Sequence, residues 1–406
     1  MKYEKKLVTI GSFLFISTLV VSAGNYTTNL LLGRWLGPSD FSEVSLLVTF
    51  MLMVSFFALA FQLTAAKFMA TFEGDTNQKL QGDFVAWLHR KALIVGSILM
   101  VLVLLLSVFW QDFFQTRSYL PFIIFGLGLP VYLLMSVNRG VLQGLLNYKK
   151  LAFSYQYEMW VRLFVSISLV YAGCRVNGVA IGLTMSLVIT WWFSRVSFQK
   201  PKQANNINNK DINKFLFTIL SYECSQILIN NSDLILVKHF YPPFEAGLYA
   251  ALALVGRIVY FGTWTVVTML FPIVIKLEKE GKSHKKYFFG GLGLVTTMAA
   301  SIVGFCYFYP EFLVSILFGK EYISISPLLW QYAFATALFA CSNVFVYYHL
   351  SLDQHQPVWI TIIAGIAQIF LISNFHQSFE QVIYVQILLM SFLFVTLVCF
   401  HFFKKR

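Results

Sequence analysis

Apolar residues fill windows of about 20 residues along nearly the whole chain, the length an α-helix needs to cross the hydrocarbon core of a bilayer. With 58% hydrophobic and 12% charged residues over 406 positions and a mean hydropathy of +0.70, an ordinary soluble domain is excluded. Twelve candidate spans result, at 8–33, 42–66, 90–110, 119–144, 152–173, 178–198, 214–239, 246–272, 287–309, 324–350, 357–374 and 380–402. The first apolar run continues past Val20 into Asn25 and Leu31 without a small-residue cleavage pattern, so a retained helix is expected there, not a signal peptide.

The net charge of +12 does not point to nucleic acid, because the positive residues sit between apolar runs and not on one amphipathic face. Alternate connections hold 22 of the 30 Lys and Arg, among them Lys5, Lys79, Lys149, Lys202, Lys285 and Lys404. That bias puts both termini and the basic loops in the cytoplasm and requires an even number of spans. The five cysteines are scattered and mostly inside apolar runs, with no metal or redox spacing.

One unit occurs twice. An apolar helix carries Asn29 and Arg34 and breaks at Gly37-Pro38, with Asp40 beyond; Asp233, Lys238 and Pro242 recur at a constant offset of 204, and Glu245 matches Asp40 after one inserted residue. A helix, a proline turn bearing an acid and a second helix in each half imply internal duplication, with the repeats parallel about an axis along the membrane normal. The Asn- and Lys-rich stretch 199–213 separates six spans from six and reads as a flexible link between a lobe at 1–198 and a lobe at 214–406.

Three motifs in order carry a family resemblance. Arg34-Trp35-Leu36-Gly37-Pro38-Ser39-Asp40-Phe41-Ser42 follows the Asn-bearing first helix, Arg139-Gly140-Val141-Leu142-Gln143-Gly144 ends the fourth span, and Phe318-Gly319-Lys320-Glu321-Tyr322 precedes the tenth. Together they resemble bacterial polysaccharide flippases, the O-antigen-type exporters of the multidrug/oligosaccharidyl-lipid/polysaccharide exporter superfamily. The resemblance implies an all-α polytopic membrane protein of about twelve helices in two six-helix lobes forming a V around a central cavity. It further implies translocation of an undecaprenyl-diphosphate-linked oligosaccharide from the cytoplasmic to the outer leaflet of the bacterial inner membrane. Membrane lipids and polysaccharide assembly proteins are the partners that go with it. Tyr241-Pro242-Pro243 departs from the pattern, standing where a Gly-Pro turn is usual.

Polar residues inside a span are expensive, so their positions are informative. Glu223, Gln226, Asn230 and Asp233 fall at i, i+3, i+7 and i+10 along one face of span seven, and Ser22, Asn25 and Asn29 form a similar stripe in span one. Two such stripes would line a polar cavity; alternatively, the amides only hold helices together. Arg162 and Arg257 lie near the centres of spans five and eight. A guanidinium stays charged and binds phosphate bidentately, so both are candidates for the substrate diphosphate. The bland reading of Arg162 is an i, i+4 salt bridge to Glu158. Arg139, nearer the cytoplasmic end, is expected either to snorkel or to touch the diphosphate. Asp233, Glu223 and Glu158 are candidates for coupling to Na⁺ or H⁺; no other cofactor and no metal is expected. Span eight continues through Phe261, Trp264 and Thr268 at helical spacing and span five adds Tyr155; aromatic faces suit sugar rings, but packing or lipid contact is the expected role, and Pro130 and Pro272 are candidate kink points.

Two other functions remain open. A multidrug-type cation antiporter of the same fold conflicts with unpaired midplane arginines, which repel cations. A membrane-embedded polysaccharide polymerase or ligase conflicts with short outer loops and with the lack of a nucleophile–base pair or Gly-rich phosphate loop.

Overall fold

The computed structural model describes residues 2–71, 78–196, 209–352, 354 and 356–403, and the side chains of most of them. Among these residues there is no strand. Thirteen α-helices follow in order: α1 Lys2–Thr71, α2 Gln78–Leu105, α3 Ser107–Phe113, α4 Leu120–Gly144, α5 Tyr148–Leu169, α6 Arg175–Ser194, α7 Asn209–Phe240, α8 Pro243–Lys279, α9 Lys285–Phe308, α10 Pro310–Leu317, α11 Leu329–Ser351, α12 Gln356–Asn374 and α13 Phe379–Phe403. Among the described residues eight helical segments are long and apolar enough to cross a membrane. Two of these, of 54 and 47 residues, have room for two crossings each, and α7 and α8 add two more long helices, which is consistent with twelve crossings. Positions 199–208 of the expected link lie outside the described residues, while 209–213 already belong to α7.

The expected first hairpin is tighter than a loop. Helical geometry runs through α1 except at Gly37 (φ 72°, ψ 171°), a left-handed conformation that glycine adopts without steric cost. The second copy breaks differently. There α7 stops at Phe240, and Pro243 opens α8 at a first-turn position where its missing N–H costs nothing. Ala246 then donates its N–H to the Pro242 carbonyl at 2.9 Å. Beyond these breaks the halves run through the same series: a long helix (α2, α9), a short one (α3, α10), and then a helix that serves as a hub (α4, α11).

The chain divides into two compact units, residues 1–36 with 43–224, and residues 37–42 with 225–406. In the first, α4 packs on both α2 and α6, and α6 on α5. Small residues permit close approach: a Cβ at Gly140 would lie 2.1 Å from the Gln62 carbonyl oxygen, and one at Gly144 2.6 Å from Met69 Cβ, so α4 lies directly on the second half of α1. In the second unit α11 packs on α8, α9 and α13. Burial is inverted relative to a soluble protein. Large apolar side chains such as Leu102 and Leu105 of α2, Phe308 of α9 and Phe392 of α13 are exposed, whereas Gln368, Gln386, Asn343 and Asp233 are buried. That distribution suits hydrocarbon outside and polar groups inside.

Candidate functional site

Each unit gathers a polar cluster. In the first, Tyr155, Glu158 and Arg162 share one face of α5 by their i, i+3, i+7 spacing. Glu158 accepts from Arg162 one turn on and, through its other oxygen, from Arg139 Nη2 of α4 at 2.7 Å. Arg139 is fixed further: Nε and Nη2 donate to the Oγ and the carbonyl of Ser154, each at 3.0 Å, and the guanidinium lies 4.0 Å over the Tyr155 ring. Arg162 Nη1 donates to Asn25 Oδ1 of α1 at 3.4 Å, while its Nε is buried with no partner. All three charged side chains are largely buried, at 5% exposure for Arg139, 12% for Glu158 and 15% for Arg162. Two guanidinium groups on one carboxylate leave one formal positive charge without a counterion among the described residues.

The polar chain continues past Tyr155. Gln62 of α1 donates through Nε2 to the Tyr155 hydroxyl at 3.0 Å and to Gln143 Oε1 of α4 at 3.2 Å.

In the second unit Asp233 of α7 accepts on Oδ2 from two phenols, Tyr249 of α8 at 3.0 Å and Tyr332 of α11 at 2.7 Å. Gln386 of α13 donates to the Tyr249 hydroxyl at 3.2 Å, and Asp233 Oδ1 is buried with no hydrogen bond. Arg257 of α8 donates to Asn231 Oδ1 at 2.9 Å. Asn230, Asp233, Arg257, Tyr332, Gln368 and Gln386 line one cavity of about 40 Å³, room for about three water molecules at roughly 10–15 Å³ each. Its wall combines a carboxylate, a guanidinium and neutral amides. Such a space can hold an ion with part of its hydration, or one anionic group.

The expected i, i+4 pair of Arg162 with Glu158 forms, and Arg139 joins it; Arg139 does not snorkel but is buried. Asn25 reaches Arg162, whereas Asn29 and Asn230 each donate their amide to the backbone carbonyl one turn earlier, Asn25 and Gln226 respectively. Gln226 is buried with neither amide atom bonded, and Glu223 is half-buried and is not among the residues lining the cavity. The side chains of Phe261, Trp264, Thr268 and Pro272 lie outside the described ones. Tyr249, Tyr332, Asn231, Gln386 and Gln62 did not emerge from the sequence, and Gln143 did so only as part of the Arg139–Gly144 motif. The one usable signal for Gln386 was an amide deep within an apolar span. Among the described residues no three His, Cys, Asp or Glu gather as metal ligands.

The fold places the chain in a known class. Over 95% of its length it matches the inward-facing conformation of a multidrug resistance MATE family transporter of the MOP superfamily (TM-score 0.74, 11% identity, 96% of that chain). It matches the lipid II flippase MurJ in an inward closed conformation over 95% of its length (TM-score 0.73, 12% identity, 86% of that chain). The MATE multidrug transporter DinF-BH matches over 98% (TM-score 0.73, 13% identity, 95% of that chain). With its exposed apolar helices, the chain is therefore a multi-pass membrane protein with the fold shared by these transporters. A search of curated proteins finds no match. Residues 31–327 match the family described as polysaccharide biosynthesis protein, and the chain belongs to that family.

Proposed function

We propose that this protein is a flippase that carries a prenyl-diphosphate-linked oligosaccharide across the bacterial inner membrane by alternating access, with both termini cytoplasmic. The observation that carries the reading is the sharing of Glu158 by Arg139 and Arg162. A buried positive charge without a counterion is costly unless a ligand supplies the missing negative charge. A diphosphate does so, and guanidinium groups bind it through charge-assisted hydrogen bonds. Membership in a polysaccharide biosynthesis family supports a glycan as the group attached to it. Arg257 of the second unit is a separate candidate for the anionic substrate, since no carboxylate pairs with it among the described residues and it lines a cavity. In this scheme the domains at 1–198 and 214–406 are the two moving lobes.

Arg257→Ala is expected to lower surface polysaccharide by at least about tenfold, the worth of one charge-assisted hydrogen bond of about 1.5–3 kcal/mol. Its level in the membrane should stay normal; full surface polysaccharide in this variant overturns the assignment. Asp233 is the candidate coupling group, with Oδ2 served by two phenols and Oδ1 buried without a bond. Asp233→Asn, which keeps the shape and removes the charge, should make transport into vesicles insensitive to an imposed Na⁺ or H⁺ gradient. Undiminished gradient dependence in that variant excludes Asp233 from coupling.

A multidrug antiporter is the second reading, favoured by the two MATE neighbours. Dye accumulation in cells with and without the protein separates the two, since an organic cation has no favourable site beside Arg139, Arg162 or Arg257.

A further inference from the structure

We propose that Gln62, Gln143 and Tyr155 form a saccharide subsite that receives the first sugar attached to the diphosphate. The proposal rests on the flippase reading above and adds the group that recognises the glycan. The three side chains come from α1, α4 and α5 and are tied at one point, the Gln62 amide nitrogen, whose two protons go to the Tyr155 hydroxyl at 3.0 Å and Gln143 Oε1 at 3.2 Å. Hydrogen-bonding capacity remains unspent. Among the described residues the Gln62 side-chain oxygen Oε1, the two Gln143 amide protons and the Tyr155 hydroxyl proton have no hydrogen-bond partner, and Gln143 and Tyr155 are only half-buried. Here three donors and one acceptor are held in place and left over.

The chemistry of that remainder is neutral and mixed, which suits sugar hydroxyls, each both donor and acceptor. An anion would find its charge partners in the arginines instead. The placement also fits. Tyr155 lies one turn before Glu158 and two before Arg162, about 4.5 and about 10.5 Å along the α5 axis at about 1.5 Å per residue. The Arg139 guanidinium lies over the Tyr155 ring, so the subsite adjoins the arginine pair directly. A lipid whose diphosphate is held by Arg139 and Arg162 therefore presents its next ring to Gln62, Gln143 and Tyr155.

The test measures binding of two probes to the full chain in nanodiscs: undecaprenyl diphosphate, and the same lipid carrying one monosaccharide. Tyr155→Phe keeps the ring against Arg139 and removes only the hydroxyl; Gln143→Ala removes the free amide. Each is expected to weaken the sugar-bearing probe by about fivefold, the worth of a neutral hydrogen bond, and to leave the bare diphosphate within about twofold. Equal losses for both probes, or no loss for either, overturn the subsite. If Gln143→Ala does not accumulate, Tyr155→Phe alone decides. Arg139→Leu should weaken both probes alike, which marks the diphosphate contact. A wild-type protein that binds neither probe overturns the flippase reading itself, whereas one that binds both, with the Tyr155 and Gln143 variants unchanged, overturns only the subsite.

Discussion

Replacing Glu158 with alanine should be among the most damaging single changes in the first unit, because it leaves two buried guanidinium groups facing each other with no carboxylate between them. Removing one partner of a buried pair costs about 3–5 kcal/mol, most of it the penalty of the charge left behind. Here two charges are left, since Arg139 and Arg162 share the one acid. Thermal unfolding of the purified protein should therefore begin at a clearly lower temperature than in the wild type. Arg139→Leu should cost less, because Glu158 then keeps Arg162 as a balanced i, i+4 pair. The alanine variant also probes the ligand. A diphosphate that supplies the missing negative charge binds the folded state, and at a hundredfold excess over its Kd a ligand adds about 2.7 kcal/mol. Undecaprenyl diphosphate should thus raise the unfolding temperature of Glu158→Ala by more than that of the wild type. Equal or absent shifts would mean that the arginine pair is structural and not a diphosphate site.

How far the sequence carries is visible in this cluster. The i, i+4 relation of Glu158 and Arg162 is a matter of spacing along one helix, and counting finds it. That Arg139 would complete the group depends on how α4 lies against its neighbours, which no spacing within α4 encodes. The motif that contains Arg139 did register as Arg-Gly-Val-Leu-Gln-Gly, and the structure gives it a physical meaning: Gly140 and Gly144 let α4 close on α1, which brings Gln143 to Gln62. The second cluster was less legible. Asp233 stands out as an acid in an apolar helix, but Tyr249 and Tyr332 do not stand out in a chain with 20 tyrosines. The stripe of amides misled in part, because Asn29 and Asn230 turn their amides back to their own helix, a local bond that competes with any role across a cavity.

Gly247→Val should abolish stable accumulation of the protein, and the reason joins two motifs that lie far apart in the sequence. Residues 37–42 belong to the second unit, and α8 packs directly on them: a Cβ at Gly247 would lie 1.8 Å from the Pro38 carbonyl oxygen and 2.4 Å from its carbon. Both are backbone atoms, so no rotamer change relieves the clash, and the hairpin turn itself must move. That turn is anchored on its other side, where Phe41, at 1% exposure, meets the rings of Phe318 and Tyr322 at 6.0 and 6.4 Å. The Gly-Pro-Ser-Asp-Phe and Phe-Gly-Lys-Glu-Tyr motifs are thus two halves of one packed patch. Overpacking a tight site costs about 1–3 kcal/mol and more where the backbone is held, and a branched side chain meets the worst case. The control is Gly304→Ala in α9, where nothing lies within 4 Å of an added Cβ; removing a helical glycine there should be neutral or should stabilise by up to about 1 kcal/mol. Fluorescence-detected size exclusion of tagged proteins from membranes reads both. A monodisperse peak at wild-type level for Gly247→Val would show that the turn is not held against α8, and with it would go the physical account of why these two motifs occur in one chain.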